Sequence, residues 1–297
     1  MRFPPFSVVY GDLKAGKTLA VLAAYPTSIY IAEPGALAAA ESVLGIPEPL
    51  AKDLETFDDV TEFALTLKPG QAPGIVVDDA SLIADRTVAA LKVKFRNDSN
   101  SYAVWGALFD KAIRLRDTLR RVGMHCAFTC HAVPAETKNG VRLRGGPAFP
   151  GQTRQKFPAA ADLLLHVEAR GGTGLDDGVA FGWPFVVRTL MDGDWLAGSR
   201  YNTPDFSPLN LREILGLAGW KLPRASGLDW QDKVSEVVAR NAKLDDADHC
   251  RKVFAQARAF AGKFSKNPAH AEWAIADGYD RAVLRAASVQ HRTRLFT

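Results

Sequence analysis

The stretch Val8-Val9-Tyr10-Gly11-Asp12-Leu13-Lys14-Ala15-Gly16-Lys17-Thr18 carries the pattern G-x-x-x-x-G-K-S/T, with Gly11, Gly16, Lys17 and Thr18 at the fixed positions. An apolar run, Phe6 to Tyr10, precedes it, and a helix-prone run, Leu19 to Ala24, follows. The order predicts strand, loop and helix, the context in which this pattern binds phosphate. Glycine lets the loop turn its backbone N–H groups inward around an anion. The helix opening at Thr18 aims the positive end of its dipole at the same place. Residues 11–18 are therefore the expected nucleotide cradle. Lys17 reaches the β and γ oxygens, and the Thr18 hydroxyl is placed to ligate Mg²⁺.

Three further strands end in polar groups. Ser28-Ile29-Tyr30-Ile31-Ala32 is β-branched and aromatic, and Pro34-Gly35 stop it one residue after Glu33. The carboxyl edge of an open α/β sheet is where ligands bind, so Glu33 is either a catalytic base or a solvated strand-end acid. Ile75-Val76-Val77-Asp78-Asp79 is a short apolar run ending in acids. Downstream of a phosphate loop, such a run supplies the aspartate that holds Mg²⁺, here Asp78. Asp79 either polarises the attacking water or is a solvated neighbour. Cys126 to Cys130 reads as a buried strand ending at His131, which either senses the γ-phosphate or is a capped, solvated histidine.

Residues 36 to 72 read as helix and loop, and residues 86 to 122 as helix with a polar break at 96–101. The basic face of the helix near 103–121 reads as solvated. Residues 132 to 157 hold Lys138, Arg142, Arg144, Arg154 and Lys156 against the single acid Glu136. Glycines 140, 145, 146 and 151 suggest a mobile loop, with Phe149 and Phe157 as stacking surfaces. Such a loop suits single-stranded nucleic acid, where cations track phosphates and rings stack on bases; an ordinary flexible loop is the alternative. Ala161 to Glu168 reads as a strand, and Gly171 to Gly178 as a glycine-rich turn. Phe185 to Met191, Asp192-Gly193 and Asp194 to Leu196 read as a β-hairpin. Arg188 and Arg200 could each reach a phosphate, in cis or from a neighbouring copy. From about residue 207 the pattern turns helical, with apolar stripes through Trp230, Val234, Val237 and Val238 and through Val253, Ala257, Phe260 and Phe264, read as core or interface. Asn267-Pro268 caps a last helix. The tail's Arg251, Lys252, Arg258, Lys263 and Lys266 serve DNA or solubility.

Composition narrows the classes. A chain of 297 residues allows a large domain plus an accessory piece. The formal charge of +4 permits a nucleic-acid partner without requiring one. There is no apolar stretch long enough for a membrane span. The amino terminus enters the first strand at once, so no signal peptide is expected. Cys126, Cys130 and Cys250 form no disulfide framework, which fits a reducing cytoplasm. Cys126 and Cys130 lie four strand steps apart, roughly 13 Å, too far to share a metal ion or a bridge.

The same residues bring a family into view. Ile29 to Leu37 resembles the RecA-class strand that ends in a catalytic glutamate, and Ile75 to Asp78 resembles that class's Mg²⁺ aspartate strand. Phe128-Thr129-Cys130-His131, the basic loop after it and Asp162 to Val167 are similar to the sensor strand, second DNA-binding loop and following strand of RecA- and RadA-like ATPases. The whole order resembles the compact RecA-like ATPases of phage genomes linked to single-strand annealing recombination. The resemblance implies an α/β, RecA-like P-loop core over residues 1–215, with a mainly parallel sheet, a β-hairpin edge and a helical extension over 216–297. It implies ATP and Mg²⁺ as cofactors, single-stranded DNA as partner, a homo-oligomer, and a phage host's cytoplasm. Glu33 would activate water and His131 sense the γ-phosphate. The amino-terminal segment that links RecA filaments has no counterpart, and His replaces RecA's sensor glutamine. A P-loop kinase of nucleosides or nucleotides, and a nucleotide-gated assembly protein that hardly turns over, are the alternative classes.

Overall fold

The computed structural model describes residues 4–98, 100, 102–138, 140–151, 153–169, 182, 185–191, 193–201, 203–222 and 229–296. Strand β1 (Phe6–Gly11) lies at the middle of the sheet, buried along its length. Its parallel neighbours are β5 (His125–Val133) and β9 (Leu163–Ala169). Beyond β5 come β4 (Gly74–Asp78), β2 (Ile29–Ala32) and the two-residue edge β3 (Ala51–Lys52), all parallel. Continuous apolar runs are what a sheet covered on both faces demands, and β1, β4 and β5 have them. Beyond β9 the sheet turns antiparallel through β10 (Phe185–Arg188) and β12 (Phe206–Pro208), with β11 (Gly198–Ser199) also bonded to β9.

Helices cover both faces. Alternate residues of β1 divide between two cores. Phe6, Val8 and Tyr10 join the core built with α2 (Phe57–Leu65), α3 (Ala80–Lys94) and α4 (Ala103–Arg121). Val9 faces α1 (Lys17–Ala24) and α6 (Leu211–Leu217) on the other side. A capping box at Thr56 and Asp59 starts α2, and the Asp79 side chain caps α3. Three carboxy-terminal helices, α7 (Asp229–Asn241), α8 (Ala247–Ala261) and α9 (Pro268–Phe296), close a third core around Val238, Phe254 and Ile275. Farther along α9, Leu284 joins the α1 core. The Gln231 amide also donates to the Leu44 carbonyl at 2.7 Å, and the His270 ring lies 2.9 Å from the Glu41 carbonyl, both in the short helical segment Ala40–Leu44 beyond β2. No helix among the described residues is long and apolar enough to cross a membrane.

Two local expectations need correcting. The antiparallel edge is present, but the hairpin over 185–196 does not form. β10 pairs with β9 and β12, while Gly145 exchanges backbone bonds with Asp194 and Leu196. Trp195 instead stacks on the His166 ring, with centroids 3.9 Å apart. Asp192, and the glycine-rich turn expected at 171–178, lie outside the described residues. The second correction concerns residues 132–157, which are built of short elements rather than one loop. β6 (Glu136–Lys138) and β7 (Val141–Leu143) pair as a hairpin, β8 (Gly146–Pro147) folds back on β5, and α5 (Thr153–Lys156) follows. Phe149 and Phe157 are not stacking surfaces. They are 3 % and 0 % exposed, in the core with Phe6 and Phe128. Cys126 and Cys130 are buried free thiols, as their spacing in one strand requires.

Candidate nucleotide site

The loop between β1 and α1 has the backbone that its sequence requests. Gly16 has φ 74° and Lys14 φ 61°, a left-handed pair that turns the chain back onto the start of α1. At position 11 the constraint is space: a Cβ there would come within 2.7 Å of the Val167 carbonyl oxygen on β9. Lys17 is 7 % exposed, and its ammonium donates to the carbonyls of Gly11 at 3.1 Å and Asp12 at 2.6 Å. Burial pulls its pKa down, opposed by the carboxylates of Asp79 and Asp78. A lysine resting on loop carbonyls can exchange them for anionic oxygens without moving its helix.

Asp78 closes the other wall. The Thr18 hydroxyl donates to its Oδ2 at 2.8 Å, and the Thr129 hydroxyl donates to its other oxygen. Parallel pairing of β4 with β5, and the seating of α1 beside them, bring these three groups together. Burial pushes the Asp78 carboxyl pKa up, offset in part by the two hydroxyls and by Lys17. Because the folded value is raised, ionisation costs stability, and the cost grows as pH rises through and above the ordinary carboxylate range. Asp78→Asn is therefore expected to melt higher than wild type at neutral pH without nucleotide or Mg²⁺. The gap should narrow towards about pH 4, which scanning fluorimetry at several pH values checks.

Asp79, joined to Asp78 by a cis peptide bond, accepts the Ser81 N–H at 2.6 Å and lies 2.8 Å from His131 Nε2. The His131 backbone N–H donates to the Ser81 hydroxyl at 3.0 Å. Asp79 is thus a helix cap that also holds the histidine. His131 lies within β5 rather than at its end, since the strand runs on to Val133. Glu33 stands one residue past β2, half-exposed, with Arg86 of α3 at 2.6 Å; the same guanidinium reaches Asp53 at 3.7 Å.

The basic residues of 132–157 are mostly engaged. Arg154 donates to the carbonyls of Pro134 at 3.1 Å and Arg144 at 2.9 Å, tying the hairpin to α5. Arg142 pairs with Asp194, Arg144 meets the Met191 sulfur, and Lys156 lies over the Phe109 ring. Lys138 lies in β6. Arg188 bonds Glu168, and Arg200 bonds Asp162.

Sequence reasoning missed three features. Thr129 is a lone hydroxyl in an apolar strand, a signal that a polar partner must be near. Arg86, the partner of Glu33, left no sequence trace. The third is a wall of Tyr10, His166 and Trp195 with Glu168 and Arg188 behind it, whose ring nitrogen His166 Nδ1 lies 3.1 Å from Glu168. Strand parity places Tyr10 and His166 side by side, in register on β1 and β9.

The chain matches no protein-family model and no curated protein. Among solved structures it is similar to the RadB recombinase at 14% sequence identity, with a TM-score of 0.38, over 63% of this chain and 81% of that one.

Proposed function

We propose that this chain is a RecA-like, Mg²⁺-dependent ATPase whose ATP turnover is coupled to single-stranded DNA in phage-type recombination or replication. The observation that carries the reading is the 2.8 Å bond between the Thr18 hydroxyl and Asp78, beside a buried Lys17 and a left-handed glycine loop. A hydroxyl, a carboxylate and an ammonium converging at the carboxyl ends of β1 and β4 are the donor set that Mg²⁺ and a triphosphate need. Thr18 and Asp78 would hold Mg²⁺, which neutralises charge on the phosphate oxygens when bound.

The chain's own groups supply the rest. Backbone N–H groups of residues 11–16 and the start of α1 bind the phosphates, and Lys17 gives up its loop carbonyls to pair with them. Catalysis then rests on positioning and on charge stabilisation already in place. Glu33 orients water once it leaves Arg86, and Asp79 fixes the imidazole of His131 toward the nucleotide. Lys138, Arg142, Arg144, Arg154 and Lys156 form the DNA-facing side, so that DNA and ATP favour each other's binding. Residues 1–215 form the ATPase core, and 216–297 its helical extension.

The test is orthophosphate release from ATP with and without single-stranded DNA, for wild type and Glu33→Gln. Glu33→Gln is expected to retain ATP binding while losing about 10²-fold or more in turnover. DNA-insensitive hydrolysis would break the coupling but keep the ATPase. Label arriving on a nucleoside acceptor, rather than in orthophosphate, would replace both with a kinase.

A further inference from the structure

The three-helix unit at the carboxyl end closes its core on one side only. Between α7 and α8 that core opens into a groove of about 660 Å³. Val234, Val253 and Ala257 form its floor, each less than a tenth exposed. Val237 and Phe260 form its lips at 52% and 39% exposure, and Phe264 continues the apolar surface at 54%. On α7 the lining positions recur at 233, 234, 237 and 241, and on α8 at 249, 252, 253, 256, 257 and 260. That is the i, i+3, i+4 stripe of a helix face, and two such stripes side by side make a trough that fits a third helix.

Charge selects the occupant. The lining includes Lys233 and Lys252 and no carboxylate. Neither lysine has an ion pair among the described residues, although nearby cations do: Arg240 bonds Glu236, Arg251 bonds Asp248 and Arg258 bonds Glu272. The lysines flanking the groove thus lack, among the described residues, the close carboxylate partners that these arginines have, although Lys252 helps to stabilise the charge of Asp246. Two copies packed groove to groove make a poor complement, because each presents the same two lysines and the α7 acids Asp232 and Glu236 are already bonded to Arg281 and Arg285. Nucleic acid fits less well too, since an aliphatic floor with two cations lacks the phosphate track and flat ring platform that single strands use.

We infer that this groove seats an acidic, amphipathic helical segment of a partner protein, with its apolar side chains on Val237 and Phe260 and its carboxylates against Lys233 and Lys252. The site stands apart from the nucleotide loop and does not depend on what that loop binds.

The experiment uses the full chain and two fluorescein-labelled helical peptides sharing one leucine face, one flanked by glutamates and the other by lysines. Anisotropy is expected to show binding of the glutamate peptide, weakening as salt rises. Lys233→Glu with Lys252→Glu should weaken it by about tenfold and turn preference toward the lysine peptide. Both lysines are exposed, so this variant should melt like wild type; Val237→Ser, a second variant at an exposed lip, should also weaken the peptide. Equal binding of the two peptides, or unchanged affinity in the charge variant, overturns the inference. Displacement of the peptide by a single-stranded oligonucleotide overturns it in favour of nucleic acid. Self-association that Val237→Ser abolishes overturns it in favour of a second copy.

Discussion

Lys17→Ala is expected to lower ATP turnover by about 10²–10³-fold, the usual cost of deleting one fixed charge or donor facing the reacting oxygens. The residue is 7 % exposed and held by two loop carbonyls, so its ammonium is preorganised and largely shielded from water. Its removal does more than delete a cation. Asp78 and Asp79 lie close enough to offset part of the fall that burial imposes on its pKa, and without it they face an incoming triphosphate uncompensated. Binding and turnover should therefore both fall. Alanine is a strong helix former at the start of α1, so the fold should survive, which a melting curve verifies. Lys17→Arg should restore little, because a planar fork does not replace a compact ammonium between two carbonyls. Orthophosphate release within threefold of wild type in the alanine variant would remove the loop from the mechanism.

The legible parts of this chain are those whose geometry is local in sequence. Residues 11–18 specify their own turn, because glycine at 16 and a helix start at 17 leave few other backbones open. Asp78 was legible because an apolar run of strand length must end at the sheet edge, and the thiols because one strand sets their spacing. Relations between distant segments were not. Thr129 meets Asp78 through the β4–β5 pairing, which no local pattern encodes. Arg86 reaches Glu33 across 53 positions, from a helix whose rotation depends on the core beneath it. The Asp-Gly turn signal at 192–193 was sound chemistry, but Asp194 and Leu196 bond to Gly145, far back in the sequence, and Trp195 stacks on His166. Residues 132–157 show the same limit. Composition counts rings and charges, whereas only the fold decides which rings face inward.

That limit can be measured at Phe157. Phe157→Ala is expected to cost about 3–5 kcal/mol of stability, the range for emptying a fully buried aromatic site. The ring is 0 % exposed and lies 5.6 Å from the Phe6 ring, 5.4 Å from Phe128 and 5.0 Å from Phe149. Three neighbours on different elements cannot all close on the vacated volume, so cavity and lost transfer energy both count. For a chain of this size the melting temperature should fall by on the order of 10 °C. Phe264→Ala is the matched control: the ring is 54% exposed, touches Trp230 and Phe260, and should cost at most about 1 kcal/mol. A base-stacking residue would behave oppositely, losing single-stranded DNA affinity by about 1–3 kcal/mol with its melting curve unmoved. If Phe157→Ala melts with wild type and binds DNA more weakly, the ring faces the nucleic acid and the core assigned to it here is wrong. If instead it melts low, and what remains folded binds DNA as wild type does, any DNA contact in this segment falls to its cations, and Arg142, whose side chain is 58% exposed, becomes the first of them to substitute, ahead of Arg154, which is tied to the carbonyls of Pro134 and Arg144.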